Sequence, residues 1–391
     1  MDILAAIDSF KGSASSFELN QAVLNGWEDR KGRKINVPIA DGGENTAEAI
    51  YYALRGTWRT IDGMDLLFRQ RKISYLLTTW QGKNTAVIES AQALGLDLLD
   101  KPTDQTIRLA SSYALGELIK DALLQEVEQI IVTLGGSGCS DGGLGLLQSL
   151  GASLEGYTEG NPLLSTKKLH FDRRNVLVSK VKLIIAADVT NPYTGQQGAA
   201  WQFGRQKGGI DTTLAFLDKQ AGKIAQQIKD FWEVDLDDIP GSGAAGGIGG
   251  ALFLLGAKMV SGFDLVSQIT GLEKKIEQAD VIITGEGRID QQTIHGKVPY
   301  GVAVLAKKYR KPIIAICGSR DQELEGLSDF LPIVLSIHLG PIGLEEAMEH
   351  RQTLEKTKIL GQTLSRFFTI LPKELTKSCS LCYRNFKYRT K

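Results

Sequence analysis

"DILAAIDSFKGSAS" (Asp2–Ser15) decides how the rest of the chain reads. Ile3 to Ile7 is an apolar run that stops at Asp8, and Ser9, Phe10, Lys11, Gly12 and Ser13 follow at once. "FELNQAVLNGWED" (17–29) then carries the spacing of an amphipathic helix. The stretch predicts a strand, a polar turn and a helix. The turn holds a carboxylate, a lysine and a glycine, as phosphate-binding turns do, yet it lacks the G-x-x-x-x-G-K-[ST] of a P-loop.

The same grammar repeats downstream. A second strand over Lys34–Ile39 leads to "ADGGENT" (40–46) and a helix over Thr46–Leu54. Such βαβα order implies a parallel sheet with helices packed on it, whose ligands bind beyond the carboxyl ends of the strands. From Thr57 the pattern changes to short alternating strands ("TWRTIDG", "RQRKISYLLTTW", "KNTAVIES"), the mark of antiparallel pairing. A helix over Leu109–Leu124, a strand in "VEQIIVTLGG", a strand in "VKLIIAADVTNP" and a helix over Thr212–Trp232 follow. Near Ala279 the first grammar returns with "ADVIITGEGRID", "YGVAVLAKKY", "KPIIAICGS", "FLPIVLSIHLG" and a long helix from Leu344. The fold class is therefore α/β. One parallel-sheet domain forms from both chain ends (1–60 and 275–371), a second α/β domain is inserted at 61–274, and the active site is expected in the cleft between them. The basic stretch 372–391 reads as a loosely ordered tail, and its lone C-x-x-C (Cys379, Cys382) is too little for zinc.

Composition narrows the function classes. The 45 basic and 45 acidic residues balance, so no net charge favours nucleic acid or an anionic membrane. No apolar stretch approaches the ~20 residues of a membrane span. Asp2 and the immediate strand argue against a signal peptide, and 4 cysteines in 391 residues argue against a disulfide scaffold. These features predict a cytoplasmic protein. The 43 glycines stand out against a ~7% average and cluster in "GGSGCSDGG" (135–143) and "GSGAAGGIGG" (241–250), where backbone can approach a ligand closely.

Five constellations carry candidate chemistry. In the first turn, Lys11 can neutralise phosphoryl oxygens and Asp8 can hold a metal or a substrate hydroxyl, while Ser13 or Ser15 can cap the next helix. In "ADGGENT", Asp41 and Glu44 suit Mg²⁺ or, alternatively, a helix cap with its capping box. "TLGGSGCSDGG" offers Gly135, Gly136 and Ser137 to ATP phosphates, with Asp141 as ligand-side acid or N-cap. "AADVTNPYTGQQGAAWQFGRQKGG" (186–209) places Asp188 at a strand end as a candidate base, with Asn191, Arg205 and Lys207 in the following loop. "ITGEGRIDQQTIHGKVP" (283–299) gathers Glu286, Arg288, Asp290, His295 and Lys297 at a sheet edge. Arg288 can clamp a carboxylate, and Glu286 or Asp290 can coordinate Mg²⁺. "GSGAAGG" matches G-x-G-x-x-G at Gly241, Gly243 and Gly246, but it follows "EVDLDDIP" rather than a buried strand, so an anion-binding or nucleotide-covering loop is the better reading. His170, His338 and His350 lack ligand spacing and read as structural.

Eight blocks in order resemble the type-1 glycerate kinases of bacteria: "IDSFKGS", "ADGGENT", "ALGELI", "GGSGCSDGG", "DVTNPYTGQQGAAWQFGRQKGG", "GSGAAGGIGG", "VIITGEGRID…GKVP" and "SIHLGPIGLEEAM". The resemblance covers residues 1 to about 371 and implies a Rossmann-like domain built from the chain ends plus an inserted α/β domain. It implies ATP- and Mg²⁺-dependent phosphorylation of D-glycerate to 2-phosphoglycerate or 3-phosphoglycerate. On that reading Lys11 faces the transferring phosphate and Asp188, or next Asp290, takes the hydroxyl proton. Asp8, Ser9, Asp41, Arg288 and Asn191 bind substrate. Gly135, Gly136, Ser137, Asp141, Lys207, Gly243, Gly246 and Lys297 bind nucleotide, and Glu44 or Glu286 holds the metal. The chain departs from the family at Ile7, Asn45, Gly138–Ser140 and Arg205. A dinucleotide-dependent oxidoreductase and a non-catalytic ligand-binding regulator are the competing classes.

Overall fold

The computed structural model describes residues 1–29, 31–172, 180–294 and 296–370. The tail expected at 372–391 and His295 lie outside the described residues. In chain order the first strands are β1 (Ile3–Ile7), β2 (Lys34–Asn36), β3 (Thr57–Met64), β4 (Gln70–Trp80), β5 (Lys83–Glu89) and β6 (Gln129–Thr133). They continue with β7 (Ser153–Glu155), β8 (Lys168–His170), β9 (Lys182–Ala186), β10 (Lys258–Val260), β11 (Val281–Ile289), β12 (Ile313–Arg320) and β13 (Val334–Ser336).

The chain forms two compact units. The first takes Met1–Asp41, Glu48–Ala53 and Phe263 onward, and the second takes Gly42–Ala47 and Leu54–Gly262. The later junction falls at Gly262, ahead of the expected 274, because Phe263, Val266, Leu272 and Ile276 bury their side chains in the first unit's core.

In the first unit the sheet order is β13-β12-β11-β1-β2, and each neighbouring pair is parallel. Both faces of β1 are covered, which is why its sequence is continuously apolar rather than alternating. Leu4 and Ala6 join the cluster holding Val298, Val302 and Ala306. Ile3, Ala5 and Ile7 join the opposite cluster with Leu19, Val23 and Leu364. From β1 the chain steps to β2 on one side, whereas β11, β12 and β13 extend the sheet on the other. The order therefore reverses between β1 and β11, and such switch points open a crevice at the carboxyl edge.

In the second unit the order is β10-β9-β6-β5-β4-β3, with β3, β4 and β5 antiparallel and the remainder parallel. β7 and β8 form a separate antiparallel pair. No helix among the described residues is long and apolar enough to cross a membrane.

Two expected helices differ from the reading. The one expected over Leu109–Leu124 starts at Tyr113, after a separate short helix Asp104–Leu109, because Ala110 is extended and the Ser112 N–H and Oγ are both committed to the Asp141 carboxylate. The one expected from Leu344 is Leu344–Ala347 and His350–Ile370. Glu349 interrupts it, its carboxylate accepting from the Arg351 and Gln352 N–H groups at the start of the second helix.

Candidate active site

The parallel register of β1 and β11 sets Ile7 opposite Gly285, and the Asp8 N–H donates to the Gly285 carbonyl at 2.8 Å. The chain end of one strand thus delivers Asp8 and that of its neighbour delivers Glu286. Asp8 Oδ1 accepts from the Ser9 N–H at 2.8 Å. Phe10 then closes a tight turn, donating to the Ala14 carbonyl at 2.9 Å while its own carbonyl accepts from the Ser13 N–H at 2.8 Å. Gly12 sits at φ +71° within it, and Lys11 is left exposed. Ser15, not Ser13, caps the helix that follows, with Glu18 completing a capping box. Ser13 instead shares a 2.7 Å hydrogen bond with Thr353 Oγ1.

Glu286 is buried at the switch point. Its Oε1 accepts from Thr293 Oγ1 at 2.6 Å, and its Oε2 lies 3.3 Å from Lys297 Nζ. Asp290 is bracketed by Lys297 Nζ at 3.8 Å and Arg288 Nε at 3.7 Å. Arg288 also donates to Asp321 at 3.1 Å. Burial, reinforced by the charges of Asp41 and Glu286, pushes the Asp8 carboxyl well above the ordinary carboxylate range. Burial pushes Glu286 up as well, against the pull of Thr293 and Lys297. Burial is the main cause for both; at Asp8 the acidic neighbours add to it more than Lys11 relieves, whereas at Glu286 Lys297 outweighs Asp290.

A cavity of about 930 Å³ opens here, and Asp8, Ser9, Lys11, Asp41, Glu286, Arg288 and Lys297 line it. Asp290 meets it only through Lys297 and Arg288. The opposite wall is absent from the sequence reading: Gly318, Ser336, His338, Leu339, Leu344 and Met348 supply it. A signal for it exists, since Gly318 and His338 lie at the ends of β12 and β13, on the same carboxyl edge.

The second unit treats its expected site residues differently. Asp141 is fully buried and accepts from the Ser112 N–H and Oγ, the Gly143 N–H and the Gly145 N–H, so it fastens the backbone of the glycine-rich turn. Lys207 is also buried, its Nζ donating to Ser137 Oγ at 3.2 Å and the Cys139 carbonyl at 2.6 Å. Both the lysine and Ser137 Oγ are thereby spent on the fold. A Cβ on Gly243 would lie 2.1 Å from the Pro192 carbonyl oxygen, and one on Gly246 would lie 2.3 Å from that of Cys139. Every residue of 241–250 is buried. Gly135 packs on Gly43, and Gly136 is exposed beside Glu44. Asp188 is exposed at the end of β9 and accepts from the Gly262 N–H at 3.2 Å. Both amide atoms of Asn191 are buried with no hydrogen-bond partner among the described residues.

Two departures from the family pattern acquire physical accounts. Asn45 adopts φ +64°, a left-handed conformation that glycine takes freely and asparagine tolerates. Arg205 is exposed, paired with Asp211 at 3.0 Å and stacked over Trp201. It adds no charge to a phosphate loop, because the loop's lysine is internal.

A crevice of carboxylates and cations beyond the carboxyl edge of a parallel sheet defines an α/β protein built to handle a small anionic ligand. The glycerate kinase family model matches residues 3–365. The chain is 38% identical to the glycerate kinase of Halalkalibacterium halodurans, covering 90% of this chain and 94% of that one. It is 40% identical to the glycerate 2-kinase of Escherichia coli, covering 82% and 85%. The crystal structure named for glycerate kinase 2 of Salmonella typhimurium superposes with a TM-score of 0.79 at 35% identity, over 94% of this chain and 98% of that one. The chain belongs to the glycerate kinase family. It is accordingly an enzyme of the phosphotransferase class, and a kinase draws its phosphoryl group from a nucleotide.

Proposed function

We propose that this enzyme transfers the terminal phosphoryl group of ATP, in the presence of Mg²⁺, to the 2-hydroxyl of D-glycerate, giving 2-phosphoglycerate. One observation carries the reading: Asp8, Lys11, Glu286, Arg288 and Lys297 line a single cavity at the β1/β11 switch point, in a chain of this family. The relative named glycerate 2-kinase favours the 2-position.

The chemistry asked of the chain is positioning, charge neutralisation and a proton acceptor. Arg288 takes the glycerate carboxylate with its planar fork. Lys11, on its tight turn, meets the phosphoryl oxygens as a point charge. As the glycerate oxygen bonds to phosphorus and the bridge to ADP breaks, the hydroxyl proton needs a base whose affinity lies nearer neutrality than an ordinary carboxylate. Asp8 has that property chiefly through burial. Asp290 is bracketed by two cations, so Asp8 is preferred to it, and Asp188 is the alternative base.

The residues present fit Mg²⁺. Among the described residues no cluster of three or more His, Cys, Asp or Glu side chains forms a ready metal cage. Mg²⁺ does not require one, because it keeps waters and shares one or two carboxylates with phosphate oxygens. Glu286 and Asp41 would hold it beside Asp8. When bound, the ion supplies charge neutralisation to the phosphate oxygens.

The test is purified enzyme with ATP, Mg²⁺ and D-glycerate, the product identified by phosphorus NMR. 2-Phosphoglycerate is expected; 3-phosphoglycerate moves the acceptor position. ADP-free binding of glycerate, or reduction of NAD⁺, would overturn the reading. A pH–rate profile distinguishes the bases: Asp8→Asn should abolish the acidic limb, whereas Asp188→Asn should leave it in place.

A further inference from the structure

The cavity of the first unit has two unlike halves. Its inner half is carboxylate and cation. Its outer half is built from the segment after β13, where Leu339, Ile342, Leu344 and Met348 face the opening. Leu339 is 83% exposed and Leu344 77%, unusually bare for leucines that line a cavity. This wall is anchored to the lysine turn. Ser13 bonds Thr353, the Ser13 carbonyl oxygen lies 2.7 Å from His350 Nδ1, and a Cβ on Gly12 would lie 3.0 Å from Met348 Cε. The apolar wall and Lys11 therefore belong to one structural piece.

A three-carbon polar acid can use none of this surface and would leave most of about 930 Å³ empty. A ligand that fills both halves must carry phosphates at one end and a flat apolar group at the other. We infer that the wall formed by His338, Leu339, Ile342, Leu344 and Met348 is the seat of the nucleotide's base, with its phosphates directed toward Lys11. The inference rests on the kinase reading above and deepens it by assigning the donor's orientation.

His338 supports the assignment. Its Nδ1 is buried with no hydrogen-bond partner among the described residues, a cost that a polar ligand edge or a bridging water would relieve. Gly318 sits next to it: a Cβ there would lie 2.9 Å from the Gly287 carbonyl oxygen and 3.8 Å from His338 Nε2, so glycine keeps this part of the cavity open. Burial holds the imidazole's proton affinity below its ordinary value. As the neutral imidazole it offers one donor and one acceptor, as base recognition needs.

The test compares two probes by titration calorimetry on the full chain: ADP, and inorganic tripolyphosphate, which has the charge without the base. In the double variant Leu339→Ser/Leu344→Ser, ADP should bind about tenfold or more weakly, as expected for lost apolar contact. Tripolyphosphate should change less than twofold. His338→Ala should weaken ADP about fivefold and again spare tripolyphosphate. Both leucines are exposed, so unchanged far-UV circular dichroism is expected, and His338→Ala provides an independent second variant. Unchanged ADP affinity, or an equal loss for both probes, would overturn the assignment. Failure here is distinct from failure of the kinase reading. An enzyme that phosphorylates glycerate yet binds ADP alike in all variants loses only the base seat. One that binds ADP through this wall and phosphorylates no glycerate loses only the reaction.

Discussion

Strand-end turns in the first unit and glycine clusters in its neighbour resemble each other as sequence and behave as opposites. The turn at Asp8–Ala14 contains one glycine and opens onto a cavity. The segments 135–143 and 241–250 are dense in glycine and close against each other: a Cβ on Gly143 would lie 2.9 Å from the Gly247 carbonyl oxygen, and one on Gly247 would meet Gly142 Cα at 2.6 Å. A glycine run reports that backbone must pass something closely. It does not report whether that something is a ligand or another piece of the same chain. Ionisable side chains at consecutive strand ends are the more discriminating signal, because burying them without a ligand or partner is costly.

The strongest response should come from the open region. Lys11→Met should lower turnover on the order of 10²- to 10³-fold, as loss of a charge-stabilising group does, with thermal stability little changed because Lys11 is exposed. A steady-state assay beside a melting curve reads both. Unchanged turnover would remove Lys11 from the reaction.

The packed region should fail differently. Gly246→Ala forces a Cβ to 2.3 Å from a backbone oxygen at a residue with φ +71°. Neither the oxygen nor the conformation can yield cheaply, so a stability loss of about 3 kcal/mol is expected from overpacking and left-handed strain together. Denaturant unfolding measures it. If nucleotide affinity fell while stability held, the glycine would be a ligand contact and the contrast between the two regions would collapse.

Much of the framework is legible in the sequence because each physical cause is local. Ile3–Ile7, Lys34–Asn36 and Val281–Ile289 begin as strand-forming runs that lead to acids, so strand, edge and turn can be read together. Asp8, Lys11, Asp41, Glu286, Arg288 and Lys297 can be placed at one sheet edge by that rule alone. What sequence cannot supply is the partner across space. Lys207 reads as a free cation in "FGRQKGG", and only the fold brings the Cys139 carbonyl to its Nζ. Asp141 reads as a cap or a ligand until Ser112 arrives from 29 residues earlier. The outer wall at His338–Met348 is missed for another reason: the strand in "FLPIVLSIHLG" is read, but the residues after it that line the cavity include no acid or lysine to mark them, and His338 reads as structural.

A third expectation separates function from stability within the open region. Asp8 binds its proton more tightly in the folded chain than in the unfolded one, since burial and the charges of Asp41 and Glu286 oppose ionisation. As pH rises past ~4, the unfolded chain releases this proton while the folded chain retains it. The folded state then carries more bound protons, so stability falls as pH rises through the window between the two values. Asp8→Asn, which does not titrate and keeps the acceptor for the Ser9 N–H, should therefore be more stable than the parent near neutrality, while losing activity. The difference should shrink to nothing below pH ~4. A variant less stable at pH 7 would mean that the carboxylate is relieved within the fold.

A near-silent substitution tests the contrast most severely. Lys207 lies in a loop that resembles a phosphate site by sequence, yet it is 2% exposed and its Nζ bonds only to groups of its own unit. Burial pulls its proton affinity below the ordinary lysine value, so its charge is held at a cost rather than displayed to a ligand. Lys207→Met keeps the length and fills the space. It leaves Ser137 Oγ and the Cys139 carbonyl without this donor, at a cost of about 1–3 kcal/mol, and removes the burden of desolvating an ammonium, which offsets most of it. Unfolding free energy should shift by no more than about 1 kcal/mol in either direction, and the affinities for ADP and tripolyphosphate should stay within twofold. A tenfold loss of tripolyphosphate affinity with unchanged stability would instead make Lys207 a phosphate ligand. The second unit's glycine-rich segment would then have to open to expose it, and density of packing would no longer separate the two regions.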